Sequence, residues 1–127
     1  MTVGEIKNEV MFQTNNDADD LGDFMPYLMD YINEGYDRLV YTWAGVHPSD
    51  DDETWALLHE DTDTPDTPEW THRALVDYAT WLIYRNGNSQ KQNRGYAFRG
   101  AFDEMIAKIT SQGGINGKVT HFKNIPW

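Results

Sequence analysis

Several groups of residues have the side chains that chemistry needs, and their spacing decides what each can do. In the loop NNDADDLGD, Asp17, Asp19 and Gly22 stand at positions one, three and six of a calcium-binding EF-hand loop. Position five is then Leu21, and position twelve, where a bidentate glutamate belongs, is Leu28. The ligand set therefore fails, and a solvated, helix-capping loop is the expectation. The carboxylates from Asp50 to Glu53 and from Glu60 to Asp66 have the types for a divalent metal or a general acid-base pair. Such pairs need fixed positions and environments that separate their pKa values, whereas this run reads as mobile and wet. His47, His59, His72 and His121 form neither an HExxH pattern nor an i, i+4 pair, and there is no cysteine to assist them. No GxSxG elbow holds a serine, and GGINGK lacks the spacing of a phosphate loop. These patterns predict no enzyme, no metal and no cofactor.

One basic segment remains, RNGNSQKQNRGYAFR, which mixes Arg85, Lys91, Arg94 and Arg99 with Tyr96 and Phe98 as nucleic-acid surfaces do. Phe98 falls on an apolar helical stripe, so it belongs to the core. The arginines are then expected to meet an acidic surface of another copy in preference to nucleic acid in transit. Five tryptophans within 13% aromatic content are more large apolar area than a small helical domain hides easily. Trp55, Tyr96 and Trp127 accordingly join the arginines as interface candidates.

The elements that must position these residues are read from periodicity. Thr2 followed by Glu5 makes a capping box, and Val3, Ile6 and Val10 give a first helix ending near Gln13. Asp23 and Pro26 open a second, whose face is Phe24, Leu28, Tyr31, Ile32, Gly35, Leu39 and Trp43. Gly35 in mid-face costs about 1 kcal/mol against Ala, which predicts a close helix crossing there. Residues 45–69 form an acidic insertion with three prolines, Pro48, Pro65 and Pro68. Within it Ser49 is a cap for a short helix through DETWALLH, while EDTDTPDTP is expected to be extended and solvated. Thr67 and Pro68 start a third helix running to Arg85, NGN ends it, and Ser89 opens a fourth carrying Phe98, Phe102, Met105, Ile106 and Ile109. Gly113 and Gly114 are expected to terminate it.

The last segment, residues 115–127, alternates around KVTHF and carries Gly117 and Pro126, so an extended arm is predicted. Burying Ile115, Val119, Phe122, Ile125 and Trp127 contributes roughly 7 to 15 kcal/mol, which ordering the segment at about 1 to 2 kcal/mol per residue cancels. The arm is therefore expected to order against a preformed groove on its own or a neighbouring chain. The expectation is an all-α, four-helix domain over residues 1–114 with an acidic insertion and a C-terminal arm.

At 127 residues the chain makes one domain, and its formal charge of −11 is unevenly placed. Residues 1–69 hold 18 acids against Lys7 and Arg38, a net −16, and residues 70–127 hold three acids against eight bases, a net +5. Such a chain binds phosphate backbones poorly on its acidic side and suits contacts between unlike ends of neighbouring copies. The opening MTVGEIKNEV lacks the basic and apolar regions of a signal peptide, and no apolar run approaches the roughly 18 residues of a membrane span.

The order of these patterns resembles the tailed-bacteriophage head-tail adaptor family, also called head completion or connector proteins. The likeness lies in the opening TVGEIKNEV, the helix FMPYLMDYINEGYDRLV with its INEGYDRL, the aromatic helix HRALVDYATWLIYRNGN, and RGYAFRGAFDEMIAKI leading into the tail. The resemblance implies a structural virion protein, assembled in the host cytoplasm, that forms a ring, a dodecamer matching the portal, at the head-tail interface. It implies that Ile115, Val119, Phe122, Ile125 and Trp127 form a portal-facing or neighbour-facing arm. Arg85, Arg94, Tyr96, Arg99 and Trp55 would then lie between subunits. Asp50, Asp51, Asp52, Glu53, Asp61 and Asp63 would face the DNA channel or the tail protein, with only transient contact to packaged DNA. Two other classes compete: an acidic nucleic-acid mimic that inhibits a basic protein, which needs a regular acidic surface, and a small hydrolase, which lacks a held nucleophile.

Overall fold

The computed structural model describes residues 1–14, 24–47 and 55–124, with side chains in the last stretch as far as residue 112. All regular structure among the described residues is helical: α1 (Val3–Gln13), α2 (Leu28–Val46), α3 (Arg73–Arg85) and α4 (Ser89–Asn124). The all-α, four-helix expectation holds. Short 3-10 turns at Met25–Tyr27 and Glu69–Thr71 lead into α2 and α3.

Each start has a local cause. At α1 the Thr2 hydroxyl accepts from the Glu5 N–H at 3.2 Å while the Glu5 carboxylate accepts from the Thr2 N–H at 3.1 Å, closing the capping box. Pro26 supplies a preset φ to the turn before α2. Pro68, rather than Thr67, flanks the turn before α3, and the Thr67 hydroxyl instead accepts from that of Thr71 at 2.8 Å. At α4 the cap is Asn88, whose side-chain oxygen accepts from the Lys91 N–H at 3.0 Å.

The central element is α3, buried on almost every side from Ala74 to Tyr84. The α2 and α4 helices both run antiparallel to it. Gly35 of α2 lies on Tyr78 and Trp43 on Trp70, while along α4 Phe98 stacks on Tyr84, Phe102 packs tilted against Tyr78, and Lys108 stands over Trp70. Val3, Ile6 and Val10 of α1 fill another flank of the core. The close crossing at Gly35 is present, since a Cβ there would stand 3.0 Å from the Tyr78 Cβ. Gly95 does the same for α4 against Tyr84, a contact the sequence pattern does not announce.

Two expectations are corrected. The backbone of α4 is helical through Asn124, so the helix does not stop at Gly113 and Gly114, and residues 115–124 are not extended. Among the described residues no glycine takes the positive φ that ends helices, so nothing switches the chain out of the helical region. The second correction concerns the described part of the acidic insertion. Residues 55–59 are not helical, and residues 58–66 are tied down along α1 and α2.

That tie is specific. The Asn33 side chain brackets the Leu58 backbone, donating to its carbonyl at 2.8 Å and accepting from its N–H at 2.9 Å, while the Leu58 side chain is buried. The Tyr36 hydroxyl accepts from the Asp66 N–H at 2.9 Å. The first N–H groups of α1, which no helix can satisfy internally, donate from Val3 to the Asp63 carbonyl at 2.8 Å and from Gly4 to the Asp61 carbonyl at 2.9 Å. The Asp63 carboxylate accepts from the N–H groups of His59 and Glu60, which holds its pKa below the ordinary carboxylate value. Lys7 pairs with Asp61 at 2.7 Å. This strap is the part of the insertion that polar bonds convert from loop to fixed surface.

Candidate functional site

Residues on α2 and α4 form a groove because each helix repeats its exposed side chains every three or four positions. From α2 come Glu34, Asp37, Arg38 and Tyr41. From α4 come Arg99, Phe102, Asp103 and Ile106, and the space between the two stripes is about 560 Å³. Tyr78 of α3 lies beneath them, with its ring 4.7 Å from that of Phe102 and its hydroxyl donating to Glu34 Oε1 at 2.9 Å. Burial, and next the bond to Glu34, raises the pKa of that hydroxyl, so Tyr78 stays protonated as a donor.

Guanidinium groups stack across this floor. The central carbons of Arg38 and Arg99 are 5.5 and 5.9 Å from the Tyr78 ring centre, and Arg99 is 4.6 Å from that of Trp81, with Arg85 at 5.1 Å. Arg99 also donates from Nε to Asp103 at 3.1 Å. Glu34, Arg99 and Asp103 are thereby engaged within the chain. Among the described residues neither Glu34, Asp37 nor Arg38 makes an ion pair; Glu34 and Arg38 both lie on Tyr78, and Asp37 is exposed. Tyr41 stands one turn further along, 83% exposed. The groove thus sets the exposed Tyr41 ring and partly buried Ile106 beside two acids and one base that make no ion pair among the described residues.

A second polar cluster lies under α1. Arg73 reaches Glu9 at 3.1 Å and stands 4.0 Å from Asp77, whose side chain is largely buried on α3. Burial pushes the Asp77 carboxyl up to about 6 against the opposing pull of Arg73. Among the described residues no group of three or more His, Asp or Glu side chains could hold a metal ion. No described helix is long and apolar enough to cross a membrane.

The structure disperses the residues singled out from the sequence. Arg99 lines the groove and Arg85 shares its Trp81 stack, but Arg94 and Tyr96 are exposed elsewhere on α4, with Tyr96 65% accessible. Trp55 packs partly buried against the core. Asp61 and Asp63 serve the strap. Asp50, Asp51, Asp52 and Glu53, with Asp17, Asp19 and Gly22, lie outside the described residues, as do Ile125 and Trp127. Ile115, Val119 and Phe122 fall on the helical backbone of α4, beyond its described side chains. Sequence reasoning missed Glu34, Asp37, Arg38, Tyr41 and Asp103. Their signal is the second stripe on α2, Glu34, Asp37, Arg38 and Tyr41, which follows helical spacing beside the apolar one.

No family model, curated protein or solved structure matches this chain.

Proposed function

We propose that this chain is a structural subunit of a tailed phage, a head-tail adaptor that forms a ring beneath the portal, extends the DNA channel and docks tail components. The family resemblance supplies the name, and one structural observation carries the assembly reading. Large apolar side chains project from three helices of the body, Phe12 of α1 at 73% exposure, Tyr41 of α2 and Tyr96 of α4. A ring needs two unlike contact surfaces per subunit, and aromatic side chains are their usual anchors. The role asks for no chemistry, and none is assigned to the chain. Its place is the virion, at the head-tail interface.

The competing reading as an acidic nucleic-acid mimic calls for a regular array of free carboxylates. Asp61 and Asp63 are used inside the fold, by Lys7 and by the His59 and Glu60 N–H groups, which counts against it. The test is to mix the purified chain with portal rings and follow particle mass by light scattering and shape by electron microscopy. Growth of a second ring on the portal is expected. Failure to bind any portal ring, together with tight binding to a basic nuclease, would overturn the proposal in favour of the mimic.

A further inference from the structure

We infer that the carboxyl-terminal half of α1, from Glu9 onward, is a latch that lifts off α3 while the rest of the body stays packed, and that the charge on Asp77 sets how often it opens. The two halves of α1 are held by different means. The first turn is pinned to the strap, through the Val3 and Gly4 amides on the Asp63 and Asp61 carbonyls and through Lys7 on Asp61. The second half rests on a polar stripe of α3. Arg73, Asp77, Thr80 and Tyr84 follow one another at steps of four, three and four, which is one helix face. Both ends of that stripe reach α1: Arg73 pairs with Glu9 at 3.1 Å, and the Tyr84 hydroxyl donates to the Gln13 carbonyl at 3.2 Å. Asp77 and Thr80, between them, therefore lie beneath residues 9–13.

Neither of these two side chains is satisfied there. The Thr80 hydroxyl is fully buried and has no hydrogen-bond partner among the described residues. Asp77 is 9% exposed, and no described group donates a hydrogen bond to it. The cation beside it is Arg73, 4.0 Å away and closer to Glu9. The charged groups at this face are thus Arg73 of α3 and Glu9 of α1. Burial and Arg73 are the influences on Asp77, and among the described residues no charge from α2, α4 or the strap offsets them. Buried polar groups without partners regain water when their cover lifts, which favours opening. The cover is thin, since Val10 is the buried apolar side chain that this half of α1 contributes and Phe12 is exposed. Once lifted, so short a helical piece is marginal in water, and its amides exchange.

The sign of the pH response follows. Beneath α1, burial keeps the proton on Asp77 up to about pH 6, whereas an uncovered carboxyl loses it near 3.9. Opening therefore grows as pH rises from about 4 to about 6 and levels off above. The latch stands whether or not the adaptor reading does.

Amide hydrogen exchange of the full chain, read residue by residue by NMR and corrected for intrinsic rates, tests it. Thr14 is fully buried and its N–H donates to the Val10 carbonyl, yet it should be less protected than Ile6, whose N–H donates to the Thr2 carbonyl, and than the amides of α3. Its opening constant should rise about tenfold from pH 5 to pH 7. D77N should flatten that rise and lower opening at pH 7 by about tenfold or more, which separates Asp77 from the histidines. T80V, similar in shape and apolar, should lower opening about fivefold at both pH values and leave the rise in place. Thr14 as protected as Ile6, an opening constant level from pH 5 to 7, a rise that survives D77N, or a T80V chain that opens no less would each overturn the inference. None of these readouts depends on capture by portal rings, which tests the function separately.

Discussion

Two seams run along this small body, and they use similar side chains to opposite ends. In the strap seam, polar groups from residues 58–66 find partners at once: Asn33 on Leu58, Tyr36 on Asp66, Lys7 on Asp61, and the α1 amides on the Asp61 and Asp63 carbonyls. In the groove between α2 and α4, Asp37 carries its charge exposed, without an ion pair among the described residues, beside an exposed tyrosine, while Arg38 lies on the Tyr78 ring. Satisfied polar groups fix a surface, whereas unmatched ones beside apolar area select what comes to it. Acidic character alone therefore says little about role in this chain. What each carboxylate faces decides it.

The contrast is sharpest for large side chains. Truncating buried Leu58 to Ala should cost about 2 to 4 kcal/mol in denaturant unfolding, while Tyr41→Ala should fall within about 0.5 kcal/mol in the isolated subunit. Equal losses at the two sites would erase the distinction. Next in size, Asn33→Ala removes both bonds that bracket Leu58 and should cost about 2 kcal/mol. A neutral result would mean that the strap is held by packing alone.

Asp77, largely buried beneath α1 beside a half-exposed Arg73, gives a third, oppositely signed effect. Asp77 titrates near 6 in the fold and near 3.9 when unfolded, so the folded state binds its proton more tightly. Stability from this group is greatest below about pH 4 and is lost as pH rises through about 6. Asp77→Asn should therefore raise stability at pH 7 by about 1 to 2 kcal/mol, with the gain vanishing toward pH 4. Thermal unfolding at the two pH values checks the sign. The smallest effect is local. Protonating Asp63, whose pKa is lowered, removes the acceptor for the His59 and Glu60 amides, so their hydrogen exchange should speed up as pH falls through its titration, beyond the intrinsic trend.

The helices were legible because their signals are local. Thr2 and Glu5 lie one turn apart, Pro26 and Pro68 sit beside the turns they start, and Gly35 marks its own close crossing. The strap was not legible as structure, because the Asn33 and Leu58 bonds join residues 25 apart and composition around residue 60 shows only acids and prolines. The end of α4 was misread for a related reason. Glycine permits a left-handed stop without imposing one, and a stop needs capping bonds beyond the glycine itself. The groove was half legible: Arg99 drew notice as a cation, but its aromatic partners Tyr78 and Trp81 lie on a different helix, and Arg38 went unnoticed.

The tie between the first turn of α1 and the carbonyls of Asp61 and Asp63 has a temporal side. Synthesis runs from the amino to the carboxyl end, so α1 emerges before its capping carbonyls, which lie nearly sixty residues later, and before its packing partner α3, which is later still. Its Val3, Ile6 and Val10 stripe has no native seat until α3 has been made. Docking of α1 is thus a late, long-range closure, and the folding rate should answer to mutations on α2, α3 and α4 more than to those on α1.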